Sequence, residues 1–192
     1  MNKKAKKKNP LKLKACVVAL SLWGLSAVLA LPSSPVMAAE TASNATQEQV
    51  ARALNNKVAA LYNLHRYEEA LAADNDLITR FGNSQDQDIQ EDVARTLNNK
   101  GIALYNLHRY EEAIAVNNDL ITRFGNSQDT TIQEQVARAL LNKGIALDKL
   151  HRIGQARAEW EELVYRFKDN PDVNVQKDVA TARHNLTVAR NF

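Results

Sequence analysis

Cysteine is nearly absent: Cys16 is the single one among 192 residues. It stands at the start of an apolar run, preceded by "LKA", and a lysine there does not fit the small-apolar pattern of a lipoprotein processing site. If that run is removed, the remaining chain has no cysteine. Disulfides and thiol chemistry are then excluded, and the composition suits an oxidising compartment. Acidic residues are missing from the N-terminus, where none precedes Glu40. The sequence also lacks a glycine-rich phosphate loop, a serine elbow, a metal-spaced His/Glu pair and a nucleotide fingerprint. No catalytic residue, metal ligand or cofactor is assigned, and the chain reads as a non-enzyme.

What is present begins with charge. Seven lysines fall in the first fourteen residues, followed by "ACVVALSLWGLSAVLAL" and "PSSPVMAAE". A basic segment, an apolar segment and small residues at a cut site are the parts of a secretory signal peptide. Cleavage after Ala38 leaves Val36 and Ala38 as the small residues at the site, so residues 1–38 are read as a leader and 39–46 as a short linker. The alternative is an uncleaved membrane anchor, since seventeen residues lie at the lower limit for a span. Helix-breaking "LPSSP" favours cleavage, and with it an exported protein, periplasmic or secreted. Loss of the seven lysines takes Lys+Arg from 25 to 18 against 22 Asp+Glu, a net charge near −4. Such a chain has no overall basic surface for nucleic acid.

The rest of the chain is one unit repeated. Blocks begin at Gln47, Gln90 and Gln133, 43 residues apart, with a truncated fourth from Gln176. The first two agree at 34 of 43 positions, the mark of recent duplication, so features that persist in the diverged third block carry more information. Each block reads as two helices. In the second, Val93, Leu97, Gly101, Leu104 and His108 fall on one side of the first helix. "DIQE" at Asp88–Glu91 and "TIQE" at Thr131–Glu134 have capping-box spacing. Gly82 and Gly125 stand where a helix ends in a left-handed glycine. No block can bury its apolar face alone, so stacking must supply the core. The final segment keeps Val179 but places Arg183 where earlier blocks have Leu97 and Leu140, as a terminal cover requires.

Leu97, Gly101, Leu104, Tyr110 and Ala113 form a pattern repeated through Leu140, Gly144, Leu147 and Ala156, and through Leu54, Leu61, Tyr67 and Ala70. At these positions the sequence resembles the tetratricopeptide repeat (TPR) family, in a bacterial form lengthened by about nine residues. The resemblance implies an all-α solenoid of about seven helices. Three tandem helix hairpins would occupy 47–89, 90–132 and 133–175, with a capping helix over 176–192. Departures from the family pattern include Val58 in place of a small residue, which should widen its helix pair. Asp74 and Asn117 lie where an aromatic is usual, and only Trp160 supplies one. Lys57, Lys100 and Lys143 replace inward leucines, and their stems are expected to pack while the ammonium groups reach outward.

The resemblance also implies a binding surface for an extended peptide or helix on the concave face formed by the first helices. The face opposite the apolar stripe carries Arg52, Asn55, Asn56 and Tyr62, then Arg95, Asn98, Asn99 and Tyr105, then Arg138 and Asn142. Asparagine amides can pair with a peptide backbone and arginines can fork onto carboxylates. The expected function is an exported protein-interaction scaffold whose partner is a protein or peptide. Self-association into a structural solenoid of the cell envelope is the alternative. "YNLHRYEEA", present twice, has the composition of an acid/base or metal site. However, His65, His108 and His151 recur at the block period, roughly 10 Å apart in such a stack, too far to share one ion. The third block also replaces the glutamates with Gly154 and Gln155. The stretch is therefore read as the joint between two helices, with Tyr62 and Tyr105 left at the groove edge.

Overall fold

A computed structural model describes residues 35–189, which form seven α-helices: α1 (Pro35–Asn63), α2 (Tyr67–Phe81), α3 (Gln87–Asn106), α4 (Tyr110–Phe124), α5 (Thr130–Lys149), α6 (Ile153–Phe167) and α7 (Val173–Val188). The described residues contain no strand. The fold is all-α, a solenoid of helical hairpins. Cys16 and the leader through residue 34 lie outside the described residues. Residues 35–46, including Ala38 and the segment read as a linker, are the first turns of α1. Among the described residues no helix is long and apolar enough to cross a membrane.

The helical stripe is buried as its spacing requires. Val93, Leu97, Gly101 and Leu104 are all buried in α3, and Val136, Leu140, Gly144 and Leu147 repeat the arrangement in α5. Each large aliphatic side chain removed from water contributes about 1.5–3 kcal/mol. Stacking makes this burial possible: each hairpin's two helices pack together, and each second helix packs on the next hairpin's first. First helices also touch one another in sequence, α1 to α3, α3 to α5 and α5 to α7, while among the described residues α2, α4 and α6 do not. The first helices therefore line the inner wall of the stack. At the C-terminal end α7 buries Val175, Val179 and Ala182 and leaves Arg183 exposed.

Both expectations about helix ends need correction. α3 and α5 do not begin with capping boxes. Their N-caps are Asp86 and Asp129, whose carboxylates accept from the Ile89 and Ile132 amides at 3.2 and 2.8 Å. Asp172 does the same for α7. An aspartate two residues upstream of each box already supplies the acceptor, so the helix starts there, and Asp88 and Thr131 fall inside its first turn. The glutamines that open the blocks hold the preceding turns: Gln90, Gln133 and Gln176 donate to the carbonyls of Ser84, Ser127 and Asn170.

The left-handed residues are not Gly82 and Gly125, whose φ angles are −57° and −56°. They are His65, His108 and His151, at φ 56°, 59° and 59°. His108 is thus no part of the α3 stripe. Each histidine closes a Schellman turn, in which Arg66, Arg109 and Arg152 donate backbone N–H to Leu61, Leu104 and Leu147 at 2.9 Å. A left-handed non-glycine residue costs roughly 1–2 kcal/mol. In two joints the imidazole offsets part of that through a bond between Nδ1 and a tyrosine hydroxyl, Tyr67 at 2.8 Å and Tyr110 at 2.7 Å. The glycines have a steric role instead: a Cβ on Gly82 or Gly125 would overlap the carbonyl oxygen four residues back. Lys168 takes this position in the third hairpin, where the corresponding N–H···O bond is 3.1 Å long rather than 2.8 Å. Arg123 and Arg166 donate to the Gly82 and Gly125 carbonyls while lying 5.3 Å over Phe124 and Phe167, and so tie each hairpin end to the one before.

Candidate functional site

The inner wall of α1, α3, α5 and α7 holds the ten residues expected to form a groove, but it presents them unequally. Asn55 and Asn98 are buried, at 7% and 1% exposure, and are corrected from groove residues to internal ties. Asn55 donates to the Asp92 carbonyl at 3.3 Å and accepts from Thr96 at 2.9 Å. Asn98 donates to Gln135 at 3.0 Å and accepts from Asn142 at 3.1 Å. These amides lock one first helix to the next. On a helix packed along one side only, these two positions would face outward. A first helix in the stack is flanked on both sides, so its exposed arc is narrower than half its circumference.

The arginine ladder is present, and its charges are already engaged. Arg52 pairs with Glu48 and, at 3.0 Å, with Asp88 of α3. Arg95 holds Asp92 at 2.8 Å. Arg138 meets Glu134 at 2.8 Å and Asp178 of α7 at 3.7 Å. Burial pushes the carboxyls of Asp92 and Asp178 up, and the facing arginine works against that shift. A partner carboxylate would have to displace these internal acids. Asn56 is exposed and Asn99 half-buried, both outside this network.

The two groove-edge tyrosines differ despite the duplication. Tyr62 accepts from Asn106 at 3.0 Å and packs edge-on to Tyr67, and burial pushes its hydroxyl up to about 12. Tyr105 packs on Tyr110 at 5.4 Å in a similar way, but it has Lys149 where Tyr62 has Asn106 and so lacks that donor to its hydroxyl. It lines two adjoining cavities that together form a trough across the inner wall from α3 to α7. The first, about 250 Å³, is bounded by Gly101, Ile102, Tyr105, Asn106, Ala113, Asn117, Asn142 and Ile145. The second, about 450 Å³, continues past Ile145, Asp148, Trp160, His184 and Val188. Apolar floors with a few amides at the rim are typical of binding clefts. The first cavity has a signal in the sequence: Asn117 is a short side chain where the third block has Trp160, and it faces a glycine.

The lysine row is directed away from this trough. Lys100 donates to Asn75 at 2.7 Å, and Lys143 donates to Asn118 at 3.2 Å and pairs with Glu159 at 2.9 Å. Lys57 is exposed. In the helix joints, Arg66 and Arg109 bind Glu69 and Glu112 at 2.6 Å, which holds both carboxyls below their usual range. The histidines there shape the backbone turn. Among the described residues no group of three or more His, Cys, Asp or Glu is placed to hold a metal ion.

Comparison of the chain with protein-family models, with curated proteins and with solved structures finds no match.

Proposed function

We propose that this protein is an exported, non-enzymatic scaffold that binds a protein or peptide partner along the inner wall made by its first helices, as its resemblance to tetratricopeptide arrays implies. The observation that carries the reading is the trough from α3 to α7, floored by Ile102, Tyr105, Ile145 and Val188 and edged by the amides of Asn106, Asn142 and Asn185. Apolar side chains interrupted by polar ones fit an extended chain, which offers side chains and unpaired backbone groups alternately. Export rests on the basic and apolar N-terminal segment, and the paired carboxylates and turn histidines of the joints are accounted for by structure.

The test uses a partner captured from cell-envelope extracts and identified by mass spectrometry. Asn99→Ala combined with Tyr105→Ala should weaken its binding at least tenfold while far-UV circular dichroism stays unchanged. Arg95 is the wrong probe, because its removal strips a buried Asp92 of its counter-ion. Partner affinity that is the same for native and doubly substituted chains would refute the groove.

A further inference from the structure

The second and third hairpins contain the same cleft with different contents. In the third, Gly144 of α5 faces Trp160 of α6, and a Cβ on the glycine would lie 2.6 Å from the indole Cδ1. Trp160 is 3% exposed, and its Nε1–H donates to the Leu141 carbonyl at 3.4 Å. In the second hairpin Gly101 faces Asn117, at the same sixteen-residue spacing. Asn117 is 1% exposed, and its Nδ2 donates to the Ala113 carbonyl at 2.9 Å. That bond identifies the nitrogen of the amide and leaves Oδ1 as a buried acceptor without a partner. Gly101 and Ala113 line the open cavity of the second hairpin, whereas Gly144 and Ala156 are covered by Trp160 and absent from the wall of the next. The first hairpin has Val58 and Asp74 at the two equivalent positions, both at 0% exposure.

We infer that the cavity of the second hairpin is a pocket for a tryptophan side chain carried by the partner. The chain itself supplies the comparison: one hairpin along, Trp160 springs from the position of Asn117 and its indole fills the space that the shorter amide against Gly101 leaves open. At about 250 Å³ the cavity falls below the roughly 300–1,000 Å³ of sites for whole small molecules, so it takes one side chain. Its walls, Ile102, Tyr105 and Ile145, favour an apolar ring. The unpaired Asn117 oxygen is closed off in the free chain, and a small turn of the amide presents it to the cavity, so a ring that carries a donor gains a hydrogen bond that an aliphatic or phenyl group cannot make. This inference rests on the scaffold reading and names the anchor residue of the partner.

The test is a titration of the ¹⁵N-labelled protein with N-acetyltryptophanamide, followed at the backbone amide of Gly101 and the side-chain amide of Asn117. Saturable shifts at both are expected, in the millimolar range of single-side-chain ligands. The phenylalanine and leucine analogues should bind at least tenfold more weakly, and free indole no more tightly. Asn117→Trp reproduces the Gly144–Trp160 pair, so it should fold, fill the pocket from within and lower affinity at least tenfold. Gly101→Val, which copies the first hairpin, is a second plug of independent chemistry. Absence of saturation at Gly101, equal binding by the leucine or phenylalanine analogue, tighter binding of free indole, or unchanged binding to both plugged variants overturns the assignment. A captured partner lost in the Asn99/Tyr105 variant yet bound normally by Asn117→Trp overturns the pocket and leaves the groove. Saturable binding of the tryptophan amide, with no partner dependent on the groove residues, overturns the scaffold reading instead.

Discussion

Replacing Asp74 by asparagine should stabilise the fold by an amount that grows with pH. Asp74 is 0% exposed, and neither carboxylate oxygen has a hydrogen-bond partner in the protein. Burial pushes its carboxyl from 3.8 up to about 7, with Lys100 pulling the other way. Between those two values the native chain holds a proton that the unfolded chain has lost. Unfolding then releases a proton and is favoured as pH rises. Stability from this residue is complete below about pH 4 and is lost by about pH 7. At 1.36 kcal/mol per unit, the full effect is about 4 kcal/mol, taken as an upper bound. Asparagine does not ionise, and the second hairpin already uses it at this position, where Asn117 donates to a carbonyl one turn back. Urea denaturation of both chains, followed by circular dichroism from about pH 4 to pH 8, measures the difference directly. Asp92 and Asp178, also pushed up by burial, are common to both chains and largely cancel. Near-equal stability at the acid end should open to a gap approaching 4 kcal/mol at the alkaline end. A gap that stays constant, or one that closes as pH rises, would refute the assignment of Asp74 as a carboxyl kept neutral by burial.

The helix joints give a second prediction. His108→Gly relieves a left-handed backbone worth roughly 1–2 kcal/mol but loses the Tyr110 bond, so it should lie within about 1 kcal/mol of native, with His108→Ala about 1 kcal/mol below it by chemical denaturation. His151→Gly should be stabilising by about 1 kcal/mol, since Ile153 stands where the other joints have the tyrosine. Gly144→Ala drives a methyl into Trp160 and should cost about 1–3 kcal/mol in thermal melts. Gly101→Ala, beside the open cavity, should cost less.

Much of this architecture was legible because period and patterning agree. The 43-residue repeat, the buried leucines of α3 and α5, and the polar outer position of Arg183 all follow from counting along the chain. The errors arose where a local rule had two acceptable solutions. Asp86 and Asp88 are both plausible caps, and the upstream one prevails because its carboxylate reaches the Ile89 amide. Glycine is the expected left-handed residue, yet the reversal falls at the histidine, where the Schellman bonds and a tyrosine hydroxyl fix the turn. The groove was the least legible part. Partners of its buried asparagines, and the second acids that meet Arg52 and Arg138, come from neighbouring hairpins, 36 to 44 residues away in sequence. A single-helix projection carries no information at that range.

The ties between hairpins have a consequence for the gene. Arg123 reaches the Gly82 carbonyl as Arg166 reaches that of Gly125, so the joint one unit offers is the joint the next accepts. The first two units share 34 of 43 positions, so the repeat has already been copied as a whole unit. Copy number can therefore change in whole units without creating an unfamiliar interface, and only the two terminal helices need to differ from the middle. Each added unit lengthens the inner wall by one helix pair, roughly 10 Å. Duplication of the second unit would also duplicate its cavity, turning one anchoring point into two on a rigid frame. A partner with suitably spaced anchors would then gain by avidity, without any new contact having to evolve.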